Sequence, residues 1–338
     1  MVAQIWLPSE RSNQAKQKAL IYHICGNPGL IEYYTDFLSI LRGLLDKIGQ
    51  DTAYDIYGRN LLGFGDDEHE PFSSGNKPWD LNGEIEGIYH DVATKGRGHD
   101  SVILMGHSVG SYISVEIFHR HMSHPERAPH LTLRHGILLF PTLTHLAKSP
   151  SGVKFTALQR LVPFLDKATP LLARLLLGML SVATLTWLVQ RVLGFTQATA
   201  GVTARWLKSR DGVQQAVHLA LSELETICEE KWSEELWAAT SGGEEGKAPK
   251  FFLLYAKTDH WVDDGERNGI IKRRGEGARI VVDNGDIPHA FCTRESESSS
   301  YLVCLDGERM LIMVDASLEV ARRVSGWIEE IDGGCDGL

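Results

Sequence analysis

An α/β fold, with a mostly parallel sheet covered by helices on both faces and an inserted apolar helical cap, is predicted by three observations. Short apolar runs alternate with helix-length stretches near both ends of the chain. That alternation stops between residues 142 and 248, where nothing reads as a strand. A Gly-x-Ser-x-Gly pentapeptide also sits directly behind one apolar run and ahead of a helical stripe.

Taken in order, Ala19 to Cys25 (ALIYHIC) is an apolar strand that ends at Gly26, Asn27, Pro28 and Gly29, and a helix is predicted from near Ile31 to near Ile48. Thr52 to Tyr57 is a second strand and Leu81 to Val92 a helix. In the third strand, Ser101 to Met105, the consecutive apolar residues Val102 to Met105 suit a buried parallel position. Tyr112, Val115, Ile117, Phe118 and Met122 form the stripe of the helix behind it. Thr132 to Phe140 is a fourth strand, stopped by Pro141. Phe251 to Ala256 and Arg279 to Val282 resume the strands, and Leu318 to Ile328 is a final helix. The core is therefore expected in two parts, residues 1–141 and 249–338, around a cap at 142–248. The glycine- and glutamate-rich stretch Ser241 to Lys247 has the composition of an exposed boundary.

The segment Ser101 to Ser111 (SVILMGHSVGS) places Ser108 in the tight strand-to-helix turn of a nucleophile elbow. Gly106 and Gly110 supply the lack of bulk such a turn demands, and His107 is expected to pack beside the site. A serine hydroxyl is a weak nucleophile at neutral pH, so it needs a histidine base and a carboxylate to orient that base. With this elbow the order is serine, then acid, then histidine, each on a loop at the carboxyl end of a strand. Asp259 follows FFLLYA directly and stands nearer the strand end than Asp263 or Asp264. Of the fourteen histidines, His289 is set apart by its place after the last strand and before the last helix, ahead of His145 and His260. The oxyanion donors are expected to be the amide of Val109, next after the nucleophile, and that of Asn27, because Pro28 has no N–H.

A net charge of -10 argues against a nucleic-acid-binding face. Five widely spaced cysteines without a CxxC pair read as those of a reduced intracellular protein without structural zinc, and the N-terminus lacks the pattern of a secretory signal. The acidic run Asp66 to Glu70 (DDEHE) reads as a solvated loop, so neither metal nor cofactor is expected.

Seven spaced motifs add a resemblance: GNPGLIEYY (Gly26 to Tyr34), LNGEIE (Leu81 to Glu86), GHSVGSY (Gly106 to Tyr112), LLFPT (Leu138 to Thr142), SPSG (Ser149 to Gly152), YAKTDHWV (Tyr255 to Val262) and IPHAF (Ile287 to Phe291). Together they resemble the lipid droplet-associated hydrolase family of the α/β-hydrolase superfamily. The resemblance implies Ser108, Asp259 and His289 as a catalytic triad, a lipid ester substrate, and residence at the cytosolic face of lipid droplets and the endoplasmic reticulum. The stretch Thr293 to Met310, with its ESESSS, departs from the family pattern by its length.

Within the cap, Leu175 to Gln190 (LLLGMLSVATLTWLVQ) carries no charge, and Thr169 and Pro170 mark a helix start ahead of it. Sixteen helical residues reach only about 24 Å against a hydrocarbon core of roughly 30 Å, which disfavours a clean span. Two readings bury this surface: residues 155–195 insert into a phospholipid monolayer, or they form a lid over an acyl pocket. Three functions follow. One is a serine hydrolase of neutral lipid or sterol esters, another a non-enzymatic droplet or membrane-shaping protein that keeps the fold, and the third a soluble esterase of small esters.

Overall fold

A computed structural model describes residues 2–12, 15–48, 51–162, 164–237, 250–285, 287–294, 300–305, 308–313 and 316–333. The chain opens with a short strand β1 (Gln4–Leu7), followed by β2 (Gln17–Ile24). A 3₁₀ turn over Ile31–Tyr34 leads into α1 (Thr35–Leu45), so the helix expected from Ile31 begins as a tighter turn. β3 (Thr52–Arg59), α2 (Leu81–Lys95), β4 (Ser101–His107), α3 (Val109–Ser123) and β5 (Leu133–Leu139) complete the first part of the alternation. Six helices come next: α4 (Pro150–Leu161), α5 (Leu165–Leu177), α6 (Val182–Leu193), α7 (Gln197–Leu207), α8 (Gly212–Thr226) and α9 (Glu234–Trp237). β6 (Phe251–Ala256), α10 (Asp264–Arg274) and β7 (Arg279–Asp283) return to the sheet. A separate antiparallel pair, β8 (Ser300–Leu305) and β9 (Glu308–Met313), precedes α11 (Ala316–Gly333). The stretch that departs from the family pattern holds β8 and part of β9.

The main sheet runs β1-β3-β2-β4-β5-β6-β7, parallel throughout except for β1, which pairs antiparallel with β3 at the edge. β1 escapes sequence reading because it is four residues long and half exposed, its apolar run Ile5–Leu7 too short to mark a strand. The central strands are apolar because helices cover both faces. Val102, Ile103, Leu104 and Met105 are all buried, each side chain contributing roughly 1.5–3 kcal/mol of transfer free energy. β2 and β4 lie side by side in the middle of the sheet, bringing the loop after β2 against the turn after β4.

Caps mark where the helices between β5 and β6 start. Ser149 Oγ accepts the N–H of Gly152 at 3.0 Å with Pro150 at the first helical position, so the SPSG motif is the start of α4. Leu175 to Gln190 is not the continuous helix its composition suggests. It breaks between Leu177 and Val182, where Ser181 caps α6 by accepting the N–H of Thr184 at 3.1 Å. Lys208 Nζ donates to the carbonyls of Gly178 and Leu180 at 3.0 and 2.7 Å, satisfying acceptors freed by the break. The helix axes bend by 103° there. α5 itself starts at Leu165, a turn before the expected Thr169 and Pro170. Among the described residues no single helix is long and apolar enough to cross a membrane. The stretch Ser241 to Lys247 lies outside the described residues.

Candidate active site

The turn after β4 is strained and locked. Ser108 has φ 54° and ψ −123°, a conformation costly to any residue with a Cβ and held only because its surroundings impose it. Its N–H donates to Leu139 O on the adjacent strand at 2.9 Å, and Ser111 Oγ donates back to Gly106 O at 2.9 Å. A Cβ on Gly106 would lie 2.3 Å from Gly110 O, and one on Gly110 would lie 2.3 Å from Ile24 O, so strand and helix meet backbone to backbone.

Three loops at the carboxyl ends of β4, β6 and β7 bring Ser108, Asp259 and His289 together. His289 Nε2 lies 2.9 Å from Ser108 Oγ, and His289 Nδ1 lies 2.6 Å from Asp259 Oδ2. The carboxylate can only accept, so Nδ1 carries the proton and Nε2 is left to receive one from the serine. The Asp259 side chain is 2 % exposed, and its other oxygen accepts the N–H of Trp261 at 2.8 Å. Burial pushes this carboxyl up, but His289 and the Trp261 amide together hold it below its ordinary value. The neighbouring acids serve α10 instead. Asp263 caps it through the N–H of Glu266, and Asp264 pairs with Arg267 at 2.9 Å. The His260 ring centroid lies 6.3 Å from that of His289, and the ring's own pKa is lowered, chiefly by burial. His145 approaches Glu266 at 3.9 Å.

A second chain of hydrogen bonds runs behind the first. Gly26 N–H donates to Tyr34 Oη at 2.9 Å, Tyr34 Oη meets His107 Nδ1 at 2.7 Å, and His107 Nε2 meets the carbonyl of His289 at 2.8 Å. A carbonyl can only accept, so the His107 proton sits on Nε2 and Nδ1 accepts from Tyr34. Burial, then the proximity of His289, lowers the His107 pKa well below its ordinary value. Tyr34 escapes a residue-by-residue search for nucleophile, base and acid. Its signal is its place at the end of GNPGLIEYY.

Val109 is the first residue of α3, so its N–H has no intrahelical acceptor. Among the described residues the main-chain N–H of Asn27 has none either. The Asn27 side chain is tied to α8, with Nδ2 donating to Ala216 O at 3.0 Å and to Glu223 Oε1 at 2.9 Å. In front of Ser108 and His289 opens a cavity of about 330 Å³. The helices between β5 and β6 supply much of its wall, with Phe155 from α4, Leu193 from α6, Trp206 from α7 and Glu223 from α8. Burial raises the Glu223 carboxyl to about 8, against the opposing pull of the Asn27 hydrogen bond.

The acidic run Asp66 to Glu70 is partly drawn into the fold rather than solvated along its length. The two Asp66 oxygens accept the N–H groups of Arg210 and Asp211 ahead of α8, at 2.6 and 3.2 Å. Ligand atoms of Asp66, His69 and Asp211 lie within 4.8 Å of one another, a spacing a cation could use. Arg210 already lies against them, its Nε donating to Asp211 Oδ2 at 2.7 Å.

Comparison with known proteins agrees with the motif resemblance. A family model for lipid-droplet associated hydrolases matches residues 17–292. The chain is 26% identical over 309 residues to the lipid droplet-associated hydrolase of Mus musculus, covering 87% of this chain and 86% of that one. It is 27% identical over 318 residues to the corresponding protein of Rattus norvegicus, again covering 87% and 86%. Among solved structures, the peroxisomal alpha-beta-hydrolase of Saccharomyces cerevisiae superposes with a TM-score of 0.57 at 12% identity, covering 97% of this chain and 80% of that one. That likeness supports the fold, and with the family match it shows that this chain belongs to the lipid-droplet associated hydrolase family and has an α/β-hydrolase fold.

Proposed function

We propose that the protein is a serine ester hydrolase acting at lipid droplets on neutral lipid or sterol esters, through Ser108, His289, Asp259 and an acyl-enzyme. The observation that carries this reading is the hydrogen-bonded series Ser108–His289–Asp259 opening onto a cavity walled by apolar side chains. In the first half-reaction His289 Nε2 takes the hydroxyl proton as Ser108 Oγ attacks the ester carbonyl carbon. The oxyanion that forms is stabilised by the amides of Asn27 and Val109. His289 then returns the proton to the leaving alcohol, and the acyl group stays on Ser108. In the second half-reaction water, deprotonated by His289, attacks the acyl carbon; the bond from that carbon to Ser108 Oγ breaks, His289 gives the proton to Oγ, and the acid is released. Asp259 keeps the imidazole in the tautomer this sequence requires and stabilises its charged form.

The cap supports the lipid part of the reading. Leu161, Phe164, Leu175, Leu176 and Met179 are exposed, Met179 by 90 %. Such a surface, carried on α4, the link to α5, α5 and the turn after it, costs free energy in water and gains it in a phospholipid monolayer. Leu193 belongs to both settings, since it is exposed on α6 and also lines the cavity. We place the protein accordingly at the droplet surface and the cytosolic face of the endoplasmic reticulum.

The direct test is lipid analysis of cell extracts incubated with the wild type and with Ser108→Ala, alongside fluorophosphonate labelling. Depletion of a lipid ester by the wild type alone, with an adduct on Ser108, is the expected result. Absence of an adduct, where a control hydrolase reacts, would leave the fold with a non-enzymatic role.

A further inference from the structure

In the GNPG turn Gly26 N–H donates to Tyr34 Oη, Pro28 O accepts from Leu30 and Gly29 O accepts from Leu61, whereas Asn27 is tied to the cap. Among the described residues Asn27 makes no main-chain hydrogen bond, and Pro28 has no N–H to offer. What fixes Asn27 is its side-chain amide, and both acceptors of that amide, Ala216 O and Glu223 Oε1, belong to α8. They lie seven residues apart, two helical turns along one face. Glu223 is 7 % exposed and lines the same cavity as Ser108 and His289, yet the reaction described above assigns it no role.

We propose, granted the serine-hydrolase reading, that Glu223 is a positioning residue that reaches from the cap to hold Asn27, and through it the Asn27 amide, aimed at the oxyanion. The charge state of Glu223 matters to this role. A neutral carboxyl accepts the Asn27 hydrogen bond without opposing the negative charge that grows on the substrate oxygen. An ionised one faces that oxyanion across a low-dielectric cavity and weakens the stabilisation. Burial keeps the group neutral at pH 7 and lets it ionise near pH 8.

Other titratable groups lie around it, and the Glu223→Gln profile separates Glu223 from them. From α2 the nearby carboxyl is Glu84, itself pushed up by burial and bonded to the N–H of Leu62 and to Gln215. Tyr33 and Tyr34 are raised by burial and His107 is lowered by it, so all three stay neutral between pH 7 and 9. His289 and Cys292 complete the cavity's titratable lining.

The experiment follows the rate of Ser108 phosphonylation by a fluorophosphonate between pH 6 and 9, for wild type, Glu223→Gln, Glu223→Ala and Ser108→Ala. Wild type is expected to pass through a maximum and to fall about tenfold by pH 9, as an acid titrating near 8 dictates. Glu223→Gln keeps the neutral acceptor, so its rate at pH 7 stays within about threefold of wild type and its alkaline fall disappears. Glu223→Ala leaves the Asn27 amide with the Ala216 carbonyl alone and loses about tenfold or more at every pH, the scale of a misaimed oxyanion donor. A Glu223→Gln profile that falls like wild type, or a Glu223→Ala rate equal to wild type, would overturn the proposal alone. A wild type that labels no faster than Ser108→Ala would remove the hydrolase reading and this inference with it.

Discussion

Ser108 Oγ and His289 Nε2 stand 2.9 Å apart although 181 residues separate them in the chain. Two features keep that distance. The elbow fixes the hydroxyl from one side, and Asp259 fixes the ring from the other at 2.6 Å. The two side chains are thus held by different strand ends of one sheet.

Removing either partner is expected to abolish turnover. Ser108→Ala and His289→Ala should each lower the rate on a p-nitrophenyl ester by about 10⁶-fold, and Asp259→Asn by about 10⁴-fold because it permits the wrong tautomer. All three should melt within a few degrees of wild type. Activity in Ser108→Ala above about one hundredth of wild type would place the chemistry on another residue.

The elbow glycines carry a separate, structural expectation. An alanine at 110 drives its Cβ onto Ile24 O, a main-chain atom that cannot rotate away. Gly110→Ala should therefore cost on the order of 1–3 kcal/mol in urea unfolding and displace Ser108. Gly43 in α1 is the control, since a Cβ added there would meet nothing within 4 Å. Gly43→Ala should stabilise by up to about 1 kcal/mol through helix propensity.

If the exposed face of α5 and the turn beyond it meets lipid, charge placed there will interfere with docking and leave the chemistry intact. Leu175→Asp, Leu176→Asp and Met179→Asp together should reduce flotation with phospholipid-coated triacylglycerol droplets by at least about tenfold. Hydrolysis of a water-soluble ester should stay within about twofold, since none of the three lines the cavity. Unchanged flotation would move the anchor to another part of the surface.

How far the sequence reaches depends on whether a residue's place is set locally. Ser108, Asp259 and His289 each follow an apolar run at a strand end, so topology alone brings them near one another. Asn27 is legible as a main-chain donor because Pro28 excludes itself. The partners of its side chain, Ala216 and Glu223, are not legible, because they come from a helix about 190 residues away and no motif marks the contact. The break between α5 and α6 is hidden for another reason. Hydropathy does not register Ser181 as a cap or Lys208 as an acceptor's partner, and those polar contacts decide where the helix stops.

Glu223 also makes a stability prediction whose sign follows from linkage. Its carboxyl is raised from an ordinary 4.5 to about 8 in the folded protein, so the fold binds this proton more tightly than the unfolded chain does. The associated stability is fully present below about pH 4.5 and is lost as pH rises towards 8, by at most on the order of 5 kcal/mol. Glu223→Gln has no proton to lose. Its melting temperature relative to wild type should climb between pH 5 and 8 and level off above, and a difference that stays flat with pH would contradict the buried neutral acid.

The chain Gly26–Tyr34–His107–His289 joins the loop that carries Asn27 to the main chain of the base. Because Tyr34 Oη accepts from Gly26 while donating to His107, Tyr34→Phe leaves two buried polar groups unpaired at once. An unsatisfied buried group costs about 1–3 kcal/mol, so the variant should melt lower. The catalytic effect is distinct from that cost. With His107 no longer anchored, the His289 carbonyl loses a fixed partner and the ring can drift from Ser108, and a misplacement of about 1 Å costs about 100-fold. His107→Gln should slow turnover by a similar factor, and the double variant by little more than either alone, since both break one chain. Losses that multiply in the double variant would mean that Tyr34 and His107 support the site independently.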